Sequence, residues 1–407
     1  MIVLFWRALL AVAAFGLVSS FVFLLLAIVA SVRFKRGSAS QHQNALSFPA
    51  DQLPPVTIFK PVHGMEERLE QNLASFFQQD YPNYEIIIGA RSQDDPAIIL
   101  AKNIAQRYPL IKSSFVASGP PQSPNAKVFT LDKMIPLSRN DCFVISDSDV
   151  RVGRDFLRNV IPPLFDRRLG LVTCLYRGDP ASDFWSFLEA LGMSVEMPSG
   201  VVTADMLEGI RFALGPAVAL RRDSLEAIGG IRSTADYYSD DYVLGNKIWA
   251  AGYKVVFSHY FIHHVLTPRP FARTLGDQLR WMKSTRHSRP WGHVGSGLTF
   301  AMPFGLLGLI AAAALGRWGL GLWFLAAAFA NRMIQSIVVG WWLMKDPRTL
   351  KYSWLYPLRD LQGFGVWVAS FLSHNFYWRG EMYRFTKDGR IIAQTRTAET
   401  SPIATET

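Results

Sequence analysis

Asp147-Ser148-Asp149 carries two carboxylates one residue apart, and on an extended chain such a pair faces one side. Two hard oxygen ligands on one side suit Mg²⁺ or Mn²⁺, which fill their remaining positions with water and phosphate oxygens. The pair is therefore a candidate metal site for clamping a diphosphate; the competing reading is an exposed acidic turn. In Gln93-Asp94-Asp95-Pro96, a carboxylate could accept hydrogen bonds from a nucleobase or ribose, although Asp-Pro also opens ordinary turns. Ser239-Asp240-Asp241-Tyr242 precedes a helix-like run from Val243 to Ala251, where Ser and Asp commonly cap. Close to a bound donor, Asp241 would also serve as general base for a hydroxyl nucleophile. Arg280-Trp281, followed by Lys283, Arg286 and Arg289, sets cations beside aromatic surface. Arg280 would neutralise a departing diphosphate, or the segment as a whole would attract anionic lipid.

These residues need a frame. Residues 55–62 and 85–90 read as β-branched strands, and Glu66 to Gln79 between them has helical spacing with Leu69, Leu73, Phe76 and Phe77 on one face. A helix from Ile98 to Tyr108, a short strand over Ser114–Ala117 and a fully buried strand over Asp141–Ser146 continue the alternation. Such a series predicts an α/β domain with a largely parallel sheet, its ligands bound beyond the carboxyl ends of the strands. Asp94, Asp95, Asp147 and Asp149 all come just after predicted strands. His259, His263 and His264 fall in a strand-like run, where residues four apart are ~13 Å distant, so no zinc pair is expected. No GxGxxG or GxxxxGK[ST] element is present, which removes the usual evidence for a dinucleotide oxidoreductase or a P-loop NTPase.

The chain has 407 residues, half of them hydrophobic and 18% charged, with 42 Lys+Arg against 32 Asp+Glu and a net charge of +10. This balance favours an anionic partner. The densest basic clusters flank apolar runs, so the partner expected is a bilayer and not nucleic acid. Ala8 to Val32 carries no charge and is long enough to span; Arg33, Lys35 and Arg36 then place the succeeding domain in the cytosol. Apolar runs return at Leu298–Leu315, Trp318–Met344 with a polar interruption at Asn331–Ser336, and Leu361–Ser373. They predict either three C-terminal spans or two and a re-entrant or interfacial helix. The domain order expected is an N-terminal span and basic flank over 1–36, a cytosolic catalytic domain over 48–292, membrane or interfacial helices over 296–376, and a polar cytosolic tail over 377–407. Residues 387–407 show no apolar periodicity and are expected to be disordered. Cys142 and Cys174 sit in apolar runs and read as inert core residues.

The ordered set Gln93-Asp94-Asp95-Pro96, Ile145-Ser146-Asp147-Ser148-Asp149, Asp240-Asp241-Tyr242 and Arg280-Trp281 resembles the signature of glycosyltransferase family 21, the ceramide glucosyltransferases. The resemblance runs from about Val56 to Arg289 and takes in the membrane-flanked layout. It implies a GT-A nucleotide-sugar-binding, Rossmann-like domain and inverting transfer of a sugar from a UDP-sugar to a lipid hydroxyl, with Mg²⁺ or Mn²⁺ as cofactor. By position, the resemblance implies Asp95 (with Asp94 its neighbour) near the nucleotide, Asp147 and Asp149 at the metal, and Asp241 as base. Arg280 and Trp281 match the end of the family's (Gln/Arg)xxArgTrp element, but its first position here is Asp277, with Gln278 one residue late. Lys127, after Pro124-Asn125-Ala126, resembles the family's donor-side Asn-x-Lys.

The segment Arg273–His293 also looks like the bacterial hopanoid-associated branch, which implies N-acetylglucosamine transfer to a hopanoid polyol and a place in a bacterial inner membrane. Two further readings are a processive polysaccharide synthase, which the few spans disfavour, and a non-enzymatic scaffold with a decayed domain, which the intact acidic clusters disfavour.

Overall fold

Strand-length and helix-length apolar runs set the order of elements, and the computed structural model describes residues 1–378 and 380–394. Helix α1 (Ile2–Ser47) leads into β1 (Val56–Pro61), α2 (Leu69–Phe77), β2 (Tyr84–Ala90), α3 (Pro96–Arg107), β3 (Lys112–Ala117), α4 (Ala126–Met134) and β4 (Cys142–Ser146). The helix expected from Glu66 starts at Leu69, because Gly64 and Arg68 both have φ of 64°, outside the right-handed helical region. The chain continues through β5 (Val150–Arg151), α5 (Phe156–Val160), β6 (Leu169–Asp179), α6 (Phe184–Glu208), β7 (Ala217–Arg221), α7 (Arg222–Glu226), α8 (Asp240–Ala250) and β8 (Lys254–Val265).

These strands form one sheet in the order β3-β2-β1-β4-β7-β6-β8-β5. The first four are parallel, as expected. Beyond β4 the sheet is mixed, which corrects the expectation of a largely parallel one: β7 is antiparallel to β4 and β6, β8 is parallel to β6, and β5 is antiparallel to β8. The cause is α6. It packs on α1 and α14 (Tyr356–Ala369) as well as on β6, so it is no simple crossover, and β7 re-enters reversed. Strand alternation divides the core between the two sheet faces. Ile58, Ile86, Ile88 and Val144 join one cluster with α2 and α3, while Phe59, Ile87, Phe143 and Ile145 join the other with α4 and the end of α1. Cys142 and Cys174 are free and buried, and burial pushes their thiols up to about 11 and about 12.

After the sheet come α9 (Phe271–Ser288), α10 (Pro290–Ser296), α11 (Met302–Ala314), α12 (Trp318–Gln335), α13 (Pro347–Lys351) and α14. Ile2–Gly37 and Trp318–Leu343 are long and apolar enough to cross a membrane, and Pro290–Thr299 with Met302–Ala314 forms a pair bent by 51°. The expected two or three C-terminal spans are thus one straight and one bent candidate. Helix α14 has 14 residues, too few at ~1.5 Å each for a ~30 Å hydrocarbon core.

The polar interruption does not break α12, which runs on through a π-helical stretch, Ser336–Leu343, and several of its polar groups find protein partners. Arg332 pairs with Asp360 at 3.1 Å, Gln335 donates to Ser199 at 2.8 Å, and Ser336 donates to the Thr349 carbonyl at 2.8 Å. Asp360 also accepts from the backbone of Ala301 and Met302, capping α11 at the bend. Lys35 donates to the Trp342 carbonyl at 3.2 Å and lies 3.9 Å over that ring, so the basic flank of α1 meets the end of the second candidate span.

The polar tail holds a correction. Asn375–Trp378 (β9), Glu381–Phe385 (β10) and Ile391–Ala393 (β11) form a three-stranded antiparallel sheet. The expected disorder is therefore wrong for 387–393, where Phe385 and Ile391 share a small core with Phe376 and Tyr383. Residues 395–407 lie outside the described residues.

Candidate active site

The turn between β4 and β5 carries Asp147, Ser148 and Asp149 at the carboxyl end of the parallel strands. Opposite it, Asn125 caps α4 by accepting from the backbone N–H groups of Lys127 and Val128. That cap presents Lys127, whose ammonium pairs with Asp147 at 2.7 Å and with Asp240 at 3.5 Å. The Asn125 amide also donates to Asp240 at 3.1 Å and to the Tyr237 carbonyl at 2.9 Å. Three stretches distant in sequence, 125–127, 147–149 and 237–241, thus meet in one cluster. Asp241 begins α8 beside Asp240. A Cβ on Gly215 would lie 2.9 Å from its carboxylate.

Electrostatics separate the roles available. Burial raises Asp241, Asp240 adds repulsion and Lys127 opposes both, leaving the carboxyl at about 7. Burial likewise raises Asp147, with Lys127 countering and Asp149 adding repulsion. Burial disfavours the Lys127 charge, but Asp147 and Asp240 outweigh it and hold the ammonium above its usual range.

Beneath the turn, Lys60 is fully buried at the end of β1. It donates to the Asp147 carbonyl and to Ser146 Oγ, and lies 3.9 Å over the Phe76 ring; burial lowers it to about 7 even with Asp147 and Asp149 close by. Glu66, raised by burial and by Asp149, accepts from Ser148 at 3.4 Å.

Asp95 lies at the mouth of the same strands with a structural task in hand. It caps α3 by accepting from Ala97 N–H at 2.9 Å and ties in the β1 loop through Gly64 N–H at 2.9 Å. Its neighbour Asp94 is exposed. Arg280, on α9, is held by Asp277 at 2.9 Å and donates from Nε to the Tyr238 hydroxyl at 2.6 Å. Asp277, the departure from the family pattern, also binds Arg269 at 2.6 Å. Gln278 turns to Arg359 at 3.1 Å. Trp281 is 37% exposed.

The donor set suits a divalent cation. Asp149 Oδ1 is buried without a hydrogen-bond partner, and His264 Nε2 lies 3.5 Å from its other oxygen. Among the described residues no group of three or more His, Cys, Asp or Glu is already gathered around a metal position, so substrate oxygens or water would complete the shell. His259, His263 and His264 lie on β8 as expected. Sequence reasoning passes over Lys60, Glu66, Tyr238, Asn125 as a cap, and His264 as a neighbour of Asp149. A charged residue inside an otherwise apolar strand is the one available signal, for Lys60.

Residues 11–391 match the family model described as glycosyl transferase family 21. The chain belongs to this family. Its relatives include "Ceramide glucosyltransferase 1" of Caenorhabditis elegans, 23% identical over 84% of this chain and 74% of that protein. A shorter match, 36% identical over 25% of this chain and 21% of the relative, is to "Ceramide glucosyltransferase" of Komagataella phaffii. Among solved structures, the mannosyltransferase PcManGT of Pyrobaculum calidifontis, in complex with GDP-Man and Mn²⁺, matches with a TM-score of 0.50 and 19% identity, covering 86% of this chain and 97% of that one. The family 21 chain therefore has a GT-A-type glycosyltransferase fold beside an N-terminal apolar helix and a second candidate span.

The close approach at Gly215 offers a one-methyl test of Asp241. Gly215→Ala places that methyl against the Asp241 carboxylate, 2.9 Å from its nearer oxygen, and a misplacement of a reacting group on this scale can cost ~100-fold. Transfer activity is expected to fall by roughly that factor while the melting temperature moves little. Unchanged turnover would separate Asp241 from the chemistry.

Proposed function

We propose that the chain is an inverting hexosyltransferase that moves glucose from UDP-glucose to the primary hydroxyl of ceramide at a membrane surface. The observation that carries this reading is the placing of Asp241, a carboxyl raised to about 7, in one cluster with Asp147, Asp149 and Lys127.

In this reading Asp95 and Asp94 lie toward the nucleotide, with Asp95 fixing the loop between β1 and α2. Asp147 and Asp149 would hold a divalent cation, which, when bound, offsets charge on the diphosphate. Lys127 stands between the two acidic turns and adds a fixed positive charge on the donor side. Asp241 takes the proton from the acceptor hydroxyl as its oxygen bonds to the anomeric carbon. The bond from that carbon to the UDP oxygen breaks on the opposite face, which inverts the configuration. Arg280, immobilised by Asp277 and Tyr238, meets the negative charge left on the departing diphosphate. The candidate spans bring the lipid to the site, and Arg33, Lys35 and Arg36 favour a cytosolic catalytic domain.

The test supplies purified chain with Mn²⁺, a UDP-sugar and a lipid acceptor, and reads products by mass spectrometry. Ceramide carrying one β-linked glucose is the expected product. An N-acetylhexosaminyl polyol would move the assignment to the hopanoid branch, a ladder of products to a processive synthase. No transfer from any UDP-sugar would end the proposal.

A further inference from the structure

The small C-terminal sheet touches the catalytic cluster at more points than a passive tail requires. The Ile391 N–H donates to the Asp236 carbonyl at 2.8 Å, and Tyr237 bridges to Arg390. The next residue, Tyr238, enters an aromatic cage: its ring centroid lies 5.4 Å from Phe376, 5.1 Å from Trp378 and 5.9 Å from Phe385, each approached edge-on. From the other side, the same loop is stapled to the site, since Asn125 N–H donates to the Ala235 carbonyl at 3.1 Å and the Asn125 side chain reaches Tyr237 and Asp240. Residues 235–241 are therefore a strap with the C-terminal sheet at one edge and the acidic cluster at the other.

The sheet also grips the helix that carries Arg280. Lys283, buried on α9, donates to the Asn375 carbonyl at 2.6 Å, and the His287 ring stacks on Phe385 with centroids 4.6 Å apart. Both lie within two turns of Arg280. Strap and helix then meet at the Arg280–Tyr238 hydrogen bond. Among the described contacts, Arg280 uses Nε for Tyr238 and Nη1 for Asp277, which leaves Nη2 to meet an anion. A guanidinium fixed at two positions has little orientational freedom left to lose when it binds an oxyanion.

We propose that the C-terminal sheet is a positioning element of the active site, holding Tyr238 so that its hydroxyl aims the Arg280 guanidinium at the donor diphosphate. Tyr238 is a positioning residue and touches no substrate. The inference rests on the reading of Arg280 given above.

Tyr238→Phe keeps the caged ring and deletes only the hydroxyl. Loss of a hydrogen bond to a charged group is expected to lower kcat by roughly tenfold and to weaken inhibition by UDP by a similar factor, with the melting temperature unchanged. Phe385→Ala, which opens the cage from the sheet side, should shift both quantities in the same direction. Arg280→Ala should cost more than either, and adding Tyr238→Phe to it should cost nothing further, because the two act through one guanidinium. If Arg280→Ala is impaired while Tyr238→Phe keeps wild-type kcat and UDP inhibition, the positioning role is wrong and the Arg280 assignment stands. If Phe385→Ala lowers only the melting temperature, the sheet is structural and the proposal fails. If Arg280→Ala itself is unimpaired, the diphosphate role of Arg280 falls and this inference with it.

Discussion

Asp241→Asn is expected to reduce sugar transfer by roughly 10³-fold, within the range that a positioned general base contributes, while UDP still binds. The substitution keeps size and most hydrogen-bonding capacity but can no longer take a proton. The wild-type pH profile carries the same assignment. Burial first, and the Asp240 charge second, raise Asp241 to about 7, so below that pH it is the neutral acid and cannot act as base. The acidic limb of kcat/KM is therefore expected to bend near 7 and to fall tenfold per unit beneath it. Lys127 acts in the opposite sense by favouring the carboxylate. Lys127→Met should therefore move the limb to higher pH, beyond any loss it causes in donor binding. An acidic limb that bends near 4, or an Asp241→Asn enzyme with ordinary turnover, would assign the proton to another group.

The parts of this molecule that are legible in the sequence are those whose signal is local. The strands β1, β2, β3 and β4 announce themselves by β-branched or apolar runs of strand length, and the acidic pairs stand next to them. The membrane-length helix α1 is equally plain, being apolar over more than the required length. The features that escape are long-range. Helix α6 carries Glu189, Glu196, Asp205 and Glu208 among its 25 residues and Pro198 inside it, and its packing on α1, β6 and α14, like the reversal of β7, joins elements far apart in the sequence.

Asp277 reads in the sequence as a defect in a motif, yet it is the partner that steadies Arg280. The substitution matters only once Arg269 and Arg280 are seen on either side of it. Strands β9 to β11 are three to five residues long, too short for alternation to register. Their small core of Phe376, Tyr383, Phe385 and Ile391 packs against Tyr238, which precedes β9 by more than a hundred residues. Asp95 takes up the turn reading by capping α3, and it lies at the mouth of the parallel strands.

Asp149→Asn is expected to separate stability from activity more sharply than any other change. Asp149 comes after β4 with one oxygen near His264 and the other buried and unpartnered. A buried acceptor left without a partner costs about 1–3 kcal/mol, more when it is charged, so the native fold carries this group at a loss. Its charge also raises Asp147 and Glu66 toward neutrality, a sign of repulsion across the turn. Replacing the carboxylate with an amide of the same shape leaves a polar atom at the buried position but removes its charge and the repulsion across the turn, and the melting temperature should hold or rise. Activity should move the other way. Asp149 would offer its negative oxygen to a divalent cation on the donor side, and losing it is expected to cut transfer by roughly 10³-fold, comparable to the loss of one strong electrostatic contact to the transition state. The deciding measurement is UDP affinity with and without Mn²⁺. The wild-type protein should bind UDP more tightly with the metal and lose that gain on chelation; Asp149→Asn should bind with the weaker affinity in both conditions. If the variant retained the metal-dependent gain, Asp149 would be no ligand, and its unpartnered oxygen would need another explanation.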